Sequence, residues 1–181
     1  MKKRVSLIMT AMVCLLVWTA AIPAAEPSPT DQEAVKKAIE QSIGWAIEKN
    51  FDAMFALWAD NLFHFWLTSD SLVVGLENFK KHSEQWRDPD FRGTRFEFRD
   101  LRIVFSRSGE VAWYSCYLDD CGAYKGKEYC LKNVFQTGVL EKRDGRWVHV
   151  LMHGSYPIDK VPENYVRRFY SHLFEEKDPK S

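Results

Sequence analysis

The sequence lacks an excess of charge of either sign, an excess of glycine or proline, and the common nucleotide and hydrolase motifs. Its 181 residues carry 25 Lys and Arg against 25 Asp and Glu, without the basic excess typical of nucleic-acid binders. With 9 Gly, 7 Pro and 46% hydrophobic residues, the chain is neither disordered nor fibrous. G-x-S-x-G, P-loop, dinucleotide-binding and HExxH patterns are all missing, so no cofactor is predicted. The composition indicates one globular domain.

The first 25 residues have the pattern of a secretory signal peptide. Three basic residues at positions 2–4 precede an uncharged apolar run, Val5 to Ala21, and small residues come just before Glu26. The alternative is an uncleaved anchor that tethers the same domain outside the inner membrane. We predict export and cleavage, a periplasmic or secreted protein, and no membrane insertion afterwards. The mature 156 residues then hold 22 basic and 25 acidic side chains, a net charge of −3.

Three cysteines remain after the leader: Cys116, Cys121 and Cys130. A turn at Lys125-Gly126 in a hairpin places Cys121 opposite Cys130, which predicts a disulfide in an oxidising compartment. The alternative is a pair of reduced thiols. Cys116 is predicted to be a buried, inert thiol. The cysteine spacing does not match a zinc site, so no metal is predicted.

Helical patterns come first along the chain and strand patterns follow. Apolar residues at helical spacing predict a helix from Thr30 or Asp31 to about Asn50, and further short helices at Asp52–Ala59 and Leu76–Trp86. A strand at Leu62–Leu67 lies between the short helices. The later predicted strands are Arg95–Phe105, Val111–Leu118, Cys130–Lys142 and Arg146–Ser155. This order predicts an α+β fold with N-terminal helices packed on a strongly bent antiparallel sheet.

Several short motifs resemble the SnoaL-like branch of the nuclear transport factor 2-like superfamily. The motifs are Gly75-x-Glu77-x-Phe79, Val111-Ala112-Trp113, Asp144-Gly145-Arg146-Trp147 and His153-x-Ser155-x-Pro157. The resemblance implies a cone-shaped domain over residues 26–157, followed by a helical extension and polar tail at 158–181. It also implies a homodimer formed through the outer face of the sheet. Known functions of this superfamily range from isomerases, cyclases and dehydratases to ligand binders and oligomerisation modules.

Hairpin geometry predicts which side chains share a face of the sheet. A two-residue turn at Asp144-Gly145 places Gln136 opposite His153, and the cysteine hairpin places Ser115 opposite Gln136. A turn at Ser108-Gly109 further places Arg102 beside Ser115. The predicted shared face carries Trp113, Ser115, Tyr117, Gln136, Leu151, His153 and Ser155. If this face is concave, it forms a small-molecule pocket that Trp66 also lines; the alternative is a polar network inside the core.

Three hypotheses for function follow. The first is an exported protein that binds a small, largely apolar or aromatic molecule in its cone. The second is an isomerase, cyclase or dehydratase with His153 as acid/base, Tyr117 as hydrogen-bond donor to an enolate, and Asp119 or Asp120 as carboxylate. The paired carboxylates of the superfamily's isomerases are not matched here. The third hypothesis is a non-catalytic dimerisation module.

Overall fold

The computed structural model describes residues 28–66 and 72–156. The predicted signal peptide (1–25) and the predicted extension (158–181) lie outside the described residues. The elements in chain order are α1 (Pro29–Glu48), α2 (Phe51–Phe55), β1 (Trp58–Phe65), β2 (Val73–Val74), α3 (Leu76–Ser83), a 3-10 helix (Glu84–Arg87), β3 (Phe91–Phe105), β4 (Val111–Tyr124), β5 (Lys127–Arg143) and β6 (Arg146–Ser155). Within the described ranges, no helix is long and apolar enough to cross a bilayer.

The six strands form one open, mixed sheet in the order β2-β1-β6-β5-β4-β3. Neighbouring strands run antiparallel, with one exception: β1 lies parallel to β6. This parallel pair is the departure from the predicted all-antiparallel sheet. The α+β class, with N-terminal helices packed on a sheet, is confirmed.

Helix α1 begins at a capped N-terminus that contacts the β5–β6 hairpin. Ser28 Oγ accepts a hydrogen bond from the Asp31 N–H at 3.1 Å, and Pro29 occupies the first turn, where proline is favoured. The Asp31 carboxylate lies 2.8 Å from Lys142 Nζ and accepts a hydrogen bond from Trp147 Nε1 at 2.9 Å. These contacts, Lys142 first, lower the pKa of Asp31 to about 2. The helix start is thereby fixed against β5 and β6.

Two apolar clusters fill the space between the helices and the sheet. One joins the first turns of α1 to the sheet and contains Val35, Ala38, Ile39, Ala112, Tyr114, Cys116, Leu140 and Trp147. The other lies under α2 and α3 and is centred on Met54, Leu62, Phe79, Leu118, Leu131 and Val134. We call the sheet face that packs on the helices the inner face, and the opposite face the outer face. On β4 the inner face takes the even-numbered residues from 112 to 118, which are all buried.

The predicted turns and the predicted disulfide are confirmed. Cys121 pairs with Cys130 across the β4–β5 hairpin and the two sulfurs are bonded. The segment predicted as a loop between them is mostly strand, because pairing continues to Tyr124 and Lys127 and leaves only Lys125-Gly126 as the turn. Cys116 is a buried free thiol, and burial raises its pKa to about 12, which keeps it protonated and unreactive.

The predicted pairing holds near each turn and is wrong further along the strands. Two residues of β5, Lys132 and Asn133, lie opposite Asp119, and Val150 is an extra residue on β6. Each β-bulge shifts the partner by one position. Gln136 therefore lies opposite Cys116 and Gly154, whereas Ser115 and His153 both pair with Thr137.

A third bulge interrupts the predicted pairing between β3 and β4. Arg102 lies beside Ser115, as predicted from the Ser108-Gly109 turn. Asp100 and Leu101 interrupt the ladder directly after this pair, and Asp100 has a left-handed φ of 52°. Asp tolerates this conformation better than most residues, which explains its position at the bulge.

Candidate functional site

Five aromatic and polar side chains form a connected cluster on the inner face. They are Trp58, His64, Tyr114, Gln136 and His149, and we call them the inner polar cluster. The ring centroid of Trp58 lies 5.5 Å from that of His64 and 4.8 Å from that of His149. Tyr114 lies 6.0 Å from His149, and Gln136 Nε2 donates a hydrogen bond to the Tyr114 hydroxyl oxygen at 2.7 Å. The contacts join strands β1, β4, β5 and β6.

Two glycines make room for the large rings on this face. A Cβ atom at Gly138 would lie 2.5 Å from Cε1 of Tyr114, and one at Gly154 would lie 2.7 Å from the Trp66 ring. Both distances are too short for any side chain. The strand sequence therefore has glycine where a neighbouring ring crosses the backbone. The Trp66 ring stacks on the His64 ring, with the two ring centroids 6.3 Å apart. Trp66 accordingly lies on the inner side, next to the cluster.

Four polar atoms of the cluster are buried without a hydrogen-bond partner in the described part of the chain. They are Trp58 Nε1, His64 Nδ1, Gln136 Oε1 and His149 Nδ1. An unsatisfied buried polar group costs about 1–3 kcal/mol, so these atoms weaken the fold as they stand. His149 Nε2 lies 3.3 Å from the Ala38 carbonyl oxygen and can only donate to it, which leaves Nδ1 as an acceptor in the neutral ring. The free atoms thus include one donor, the indole N–H, and at least two acceptors.

Burial keeps both histidines of the cluster neutral. It lowers the pKa of His64 to about 3, with smaller contributions from the charges of His82 and His149. It lowers the pKa of His149 to about 4 against the opposing hydrogen bond to Ala38. Burial also raises the pKa of Tyr114, so its hydroxyl stays protonated. At neutral pH the cluster is an uncharged set of hydrogen-bonding groups within aromatic walls.

The two adjacent aspartates of β4 point in opposite directions. Asp120 continues the inner side of β4 and lies between Phe96 of β3 and Leu131 of β5; burial raises its pKa to about 6. Asp119 accepts hydrogen bonds from Arg99 Nη2 and the Asn133 N–H, both at 2.8 Å. Although burial opposes them, these bonds hold the pKa of Asp119 below its usual range. Asp120 can therefore exchange a proton near neutral pH, whereas Asp119 remains a bridged carboxylate.

The other predicted site residues share one face, as predicted, but it is the outer face. The residues found there are Trp113, Ser115, Tyr117, Leu151, His153 and Ser155, whereas Gln136 lies on the inner face. Trp113 is 45% exposed and Tyr117 is 41% exposed. The His153 ring is 5.5 Å from Phe65 and the Tyr117 ring is 5.8 Å from Phe135. The structure does not bring His153 together with Gln136, because the bulge at Val150 turns it away.

Three members of the inner polar cluster were missed by sequence reasoning. Trp58 falls in the predicted short helix, which ends earlier, at Phe55, so that β1 begins at Trp58. Tyr114 alternates with Trp113 and Ser115, and this alternation predicts it on the face opposite the pocket. The four-residue spacing of His149 and His153 predicts one face for both, but the bulge at Val150 puts them on opposite faces. For Tyr114, the signal that could have found it is the uncharged alternating run Ala112, Tyr114, Cys116 and Leu118, which marks the buried face of β4.

A separate surface cleft of about 470 Å³ lies along α1 and contains no member of the inner polar cluster. Trp45, Leu57 and Phe96 give it apolar walls, while Lys37, Glu40, Gln41 and Glu48 are among its polar lining. In the described ranges, no three His, Cys, Asp or Glu side chains lie close enough together to hold a metal ion.

The comparisons with known proteins agree with this fold. The profile of the SnoaL-like domain family matches residues 35–159, and the chain belongs to this family. No curated protein matches the sequence.

Among solved structures, a nuclear transport factor 2-like protein of unknown function from Pseudomonas putida is similar, with a TM-score of 0.61 and 18% identity over 77% of this chain and 94% of that one. A protein from Novosphingobium aromaticivorans, provisionally assigned as a scytalone dehydratase, has a TM-score of 0.62 and 16% identity over 74% of this chain and 96% of its own. A provisionally assigned dehydratase of the nuclear transport factor 2-like family from Streptomyces avermitilis has a TM-score of 0.58 and 14% identity over 72% of this chain and 99% of its own. At these identities the likeness shows the fold alone.

Proposed function

We propose that this protein binds a small, largely apolar or aromatic molecule between the inner face and the helices. The observation that carries the proposal is the set of four buried, unpartnered polar atoms in one aromatic-walled cluster. A pocket of this kind has apolar walls and a few convergent polar groups. A ligand with a hydrogen-bond acceptor for Trp58 Nε1 and a donor for Gln136 or His149 offsets the cost of leaving these atoms unpaired.

The ligand reaches the cluster only after neighbouring side chains move. All four unpartnered atoms are closed to solvent in this conformation, and Gln136 and His149 are fully buried. Binding therefore includes a local opening of the packed interior, which slows association relative to an open cleft. Slow onset, with a rate that levels off at high ligand concentration, is the expected kinetic signature.

The test is native mass spectrometry of the protein purified from its own host, followed by a thermal-shift screen of neutral aromatic compounds. Gln136→Leu removes the amide at similar volume, and Gln41→Leu makes the same change in the α1 cleft. We expect the bound mass to be lost in Gln136→Leu and retained in Gln41→Leu. The reverse pattern would move the site to the α1 cleft, and no bound mass or stabilising compound in any form would reject the proposal.

A proton-transfer reaction is the second candidate function, and Asp120 is the observation that favours it. Its carboxyl lies on the inner side of β4 with its pKa raised to about 6, near the value that suits an acid/base group at neutral pH. The roles predicted for His153, Tyr117 and Asp119 stay predictions. With a substrate in hand, we expect Asp120→Asn to abolish turnover and His153→Ala to leave it unchanged. Turnover that survives Asp120→Asn and is lost in His153→Ala would restore the original assignment.

Export to the periplasm or beyond remains part of the proposal. The Cys121–Cys130 disulfide supports it, because such bonds persist in oxidising compartments. Cell fractionation with N-terminal sequencing tests it directly. We expect a mature chain that begins near Glu26, whereas an intact N-terminus in the cytoplasmic fraction would contradict export.

A second copy of this chain is the partner we propose for the outer face. Trp113, Tyr117, Phe135 and Leu151 expose 37–45% of their surface on three adjacent strands. Contiguous apolar surface of this kind marks an association site in soluble proteins. Light scattering of the purified protein should give twice the mass of the chain, and a monomer at micromolar concentration would contradict the dimer.

A further inference from the structure

The disulfide lies beside a surface cleft that is distinct from the inner polar cluster. This cleft has a volume of about 390 Å³. Its lining comes from three strands and consists of Thr94, Arg95, Cys121, Glu128, Tyr129 and Cys130. Both cysteines therefore border a space that a small molecule can enter.

The two sulfurs of this disulfide have different surroundings. Cys121 is 7% exposed, whereas Cys130 is only partly buried. Arg95 is the partner of Cys121 across β3 and β4, and its Nη2 lies 3.6 Å from Cys121 Sγ. A guanidinium group at this distance stabilises a negative charge on the sulfur it faces. The more exposed cysteine and the cysteine next to the cation are thus different residues.

We propose that the Cys121–Cys130 disulfide is a thiol-exchange site for small-molecule thiols. The incoming thiolate attacks Cys130 Sγ and forms a mixed disulfide with it. The Cys121–Cys130 bond breaks, its electron pair goes to Cys121 Sγ, and Cys121 leaves as a thiolate beside Arg95. A second thiolate then attacks the mixed disulfide and releases Cys130 as a thiolate, so two external thiols become one external disulfide.

Arg95 determines the direction of this exchange. A leaving thiol of lower pKa leaves faster, and the nearby cation favours departure of Cys121 over departure of Cys130. Two carboxylates share the neighbourhood: Glu97 Oε2 lies 3.6 Å from Arg95 Nη1, and Glu128 lines the cleft. These carboxylates repel anionic thiols, so an uncharged thiol is the appropriate probe.

The experiment uses the oxidised full chain and 2-mercaptoethanol at neutral pH. Samples are quenched in acid at early times, digested with pepsin, and mapped by mass spectrometry. We expect the adduct on Cys130. Arg95→Gln should slow reduction about threefold, because it removes the cation that stabilises the departing Cys121 thiolate. Arg92→Gln is the matched control, because it removes the same charge from the same strand opposite Ala123.

Three outcomes would overturn the proposal. The first is an adduct on Cys121, or one divided equally between the two cysteines. The second is an equal rate in Arg95→Gln and Arg92→Gln. The third is reduction that proceeds only at the rate of global unfolding, measured in parallel with urea. Unfolding midpoints of the oxidised variants establish that each one is folded before its rate is compared.

Discussion

The inner and outer faces of the same sheet carry similar residue types and have different surroundings. On β4, Tyr114 and Trp113 are neighbours in sequence, and Tyr114 is 3% exposed while Trp113 is 45% exposed. The helices cover the first residue, and nothing in the described chain covers the second. An aromatic residue on a strand therefore does not by itself indicate burial within the chain. Whether such a residue is buried within the chain depends on which face of the sheet the helices cover.

The largest difference between the faces is expected in stability. Phe79 is 1% exposed and packs on Trp58 and His64, with ring centroids 4.9 and 4.8 Å away. Phe79→Ala should lower the free energy of unfolding by about 3–5 kcal/mol, because it leaves a cavity in the core. Phe135→Ala, on the outer face, should cost less than about 1 kcal/mol in the monomer. Urea unfolding at a protein concentration low enough to dissociate the proposed dimer measures both losses in the free energy of unfolding, and equal losses would contradict the assignment of the faces.

Acid should weaken the protein through the two inner histidines. Their folded pKa values of about 3 and 4 lie below the unfolded value near 6.5, so the unfolded state binds more protons as the pH falls through 6.5. The raised pKa of Asp120, about 6, works the other way, because the folded state binds that proton more tightly. Between pH 7 and pH 5 the free energy of unfolding should therefore fall by about 2–3 kcal/mol in total.

Paired variants assign this acid effect to one face. Replacement of both His64 and His149 by Phe should abolish the decrease in the free energy of unfolding between pH 7 and pH 5, as measured by urea unfolding at the two pH values. His153→Phe, on the outer face, should leave the loss intact. An acid loss that disappears with His153→Phe alone would show that the inner histidines are not its source.

Association should depend on the outer face alone. Trp113→Lys places a charge at the centre of the exposed apolar surface and should weaken the proposed dimer by about 2 kcal/mol, or roughly 30-fold in dissociation constant. Analytical ultracentrifugation over a concentration series measures this change. Arg107→Lys, at an exposed position before the Ser108-Gly109 turn, is the control and should leave the constant unchanged. An unaltered dimer in Trp113→Lys would place the interface elsewhere.

The smallest effect should come from the amide of the inner polar cluster. Gln136→Leu removes the unpartnered Oε1 together with the hydrogen bond to Tyr114, and these two changes oppose each other. We expect the free energy of unfolding without ligand to change by less than about 1 kcal/mol in urea titration. A loss of several kcal/mol would instead indicate that Gln136 holds the core together, in favour of the polar-network alternative.

The sequence was a good guide wherever a turn lay close by. Turn residues at Lys125-Gly126 and Asp144-Gly145 correctly predicted that Cys121 faces Cys130 and which strands pair. The prediction failed at Gln136 because bulges at Asn133 and Val150 intervene between the turn and the site. A bulge depends on a local conformation, such as the left-handed φ of 61° at Asn133, which many Asn residues adopt in ordinary turns. The inner polar cluster also needs the helices placed above it, and periodicity does not provide that placement.

The bridge from Arg99 to Asp119 and Asn133 has a consequence for how this fold tolerates change. Arg99 Nη2 donates to Asp119 Oδ1 and to Asn133 Oδ1, so one guanidinium holds the bulge of β5 to its neighbours. Because of the extra residue, the register of the β4–β5 pairing in the disulfide hairpin differs by one position from the register in the central part of the sheet. Insertions or deletions in pairs can lengthen or shorten the hairpin while Val134 and Gln136 keep facing the helices. Deletion of Asn133 alone would leave only Lys132 opposite Asp119, with Leu131 and Val134 still on the inner face, so β5 can lose its extra residue at this position without exchanging its two faces.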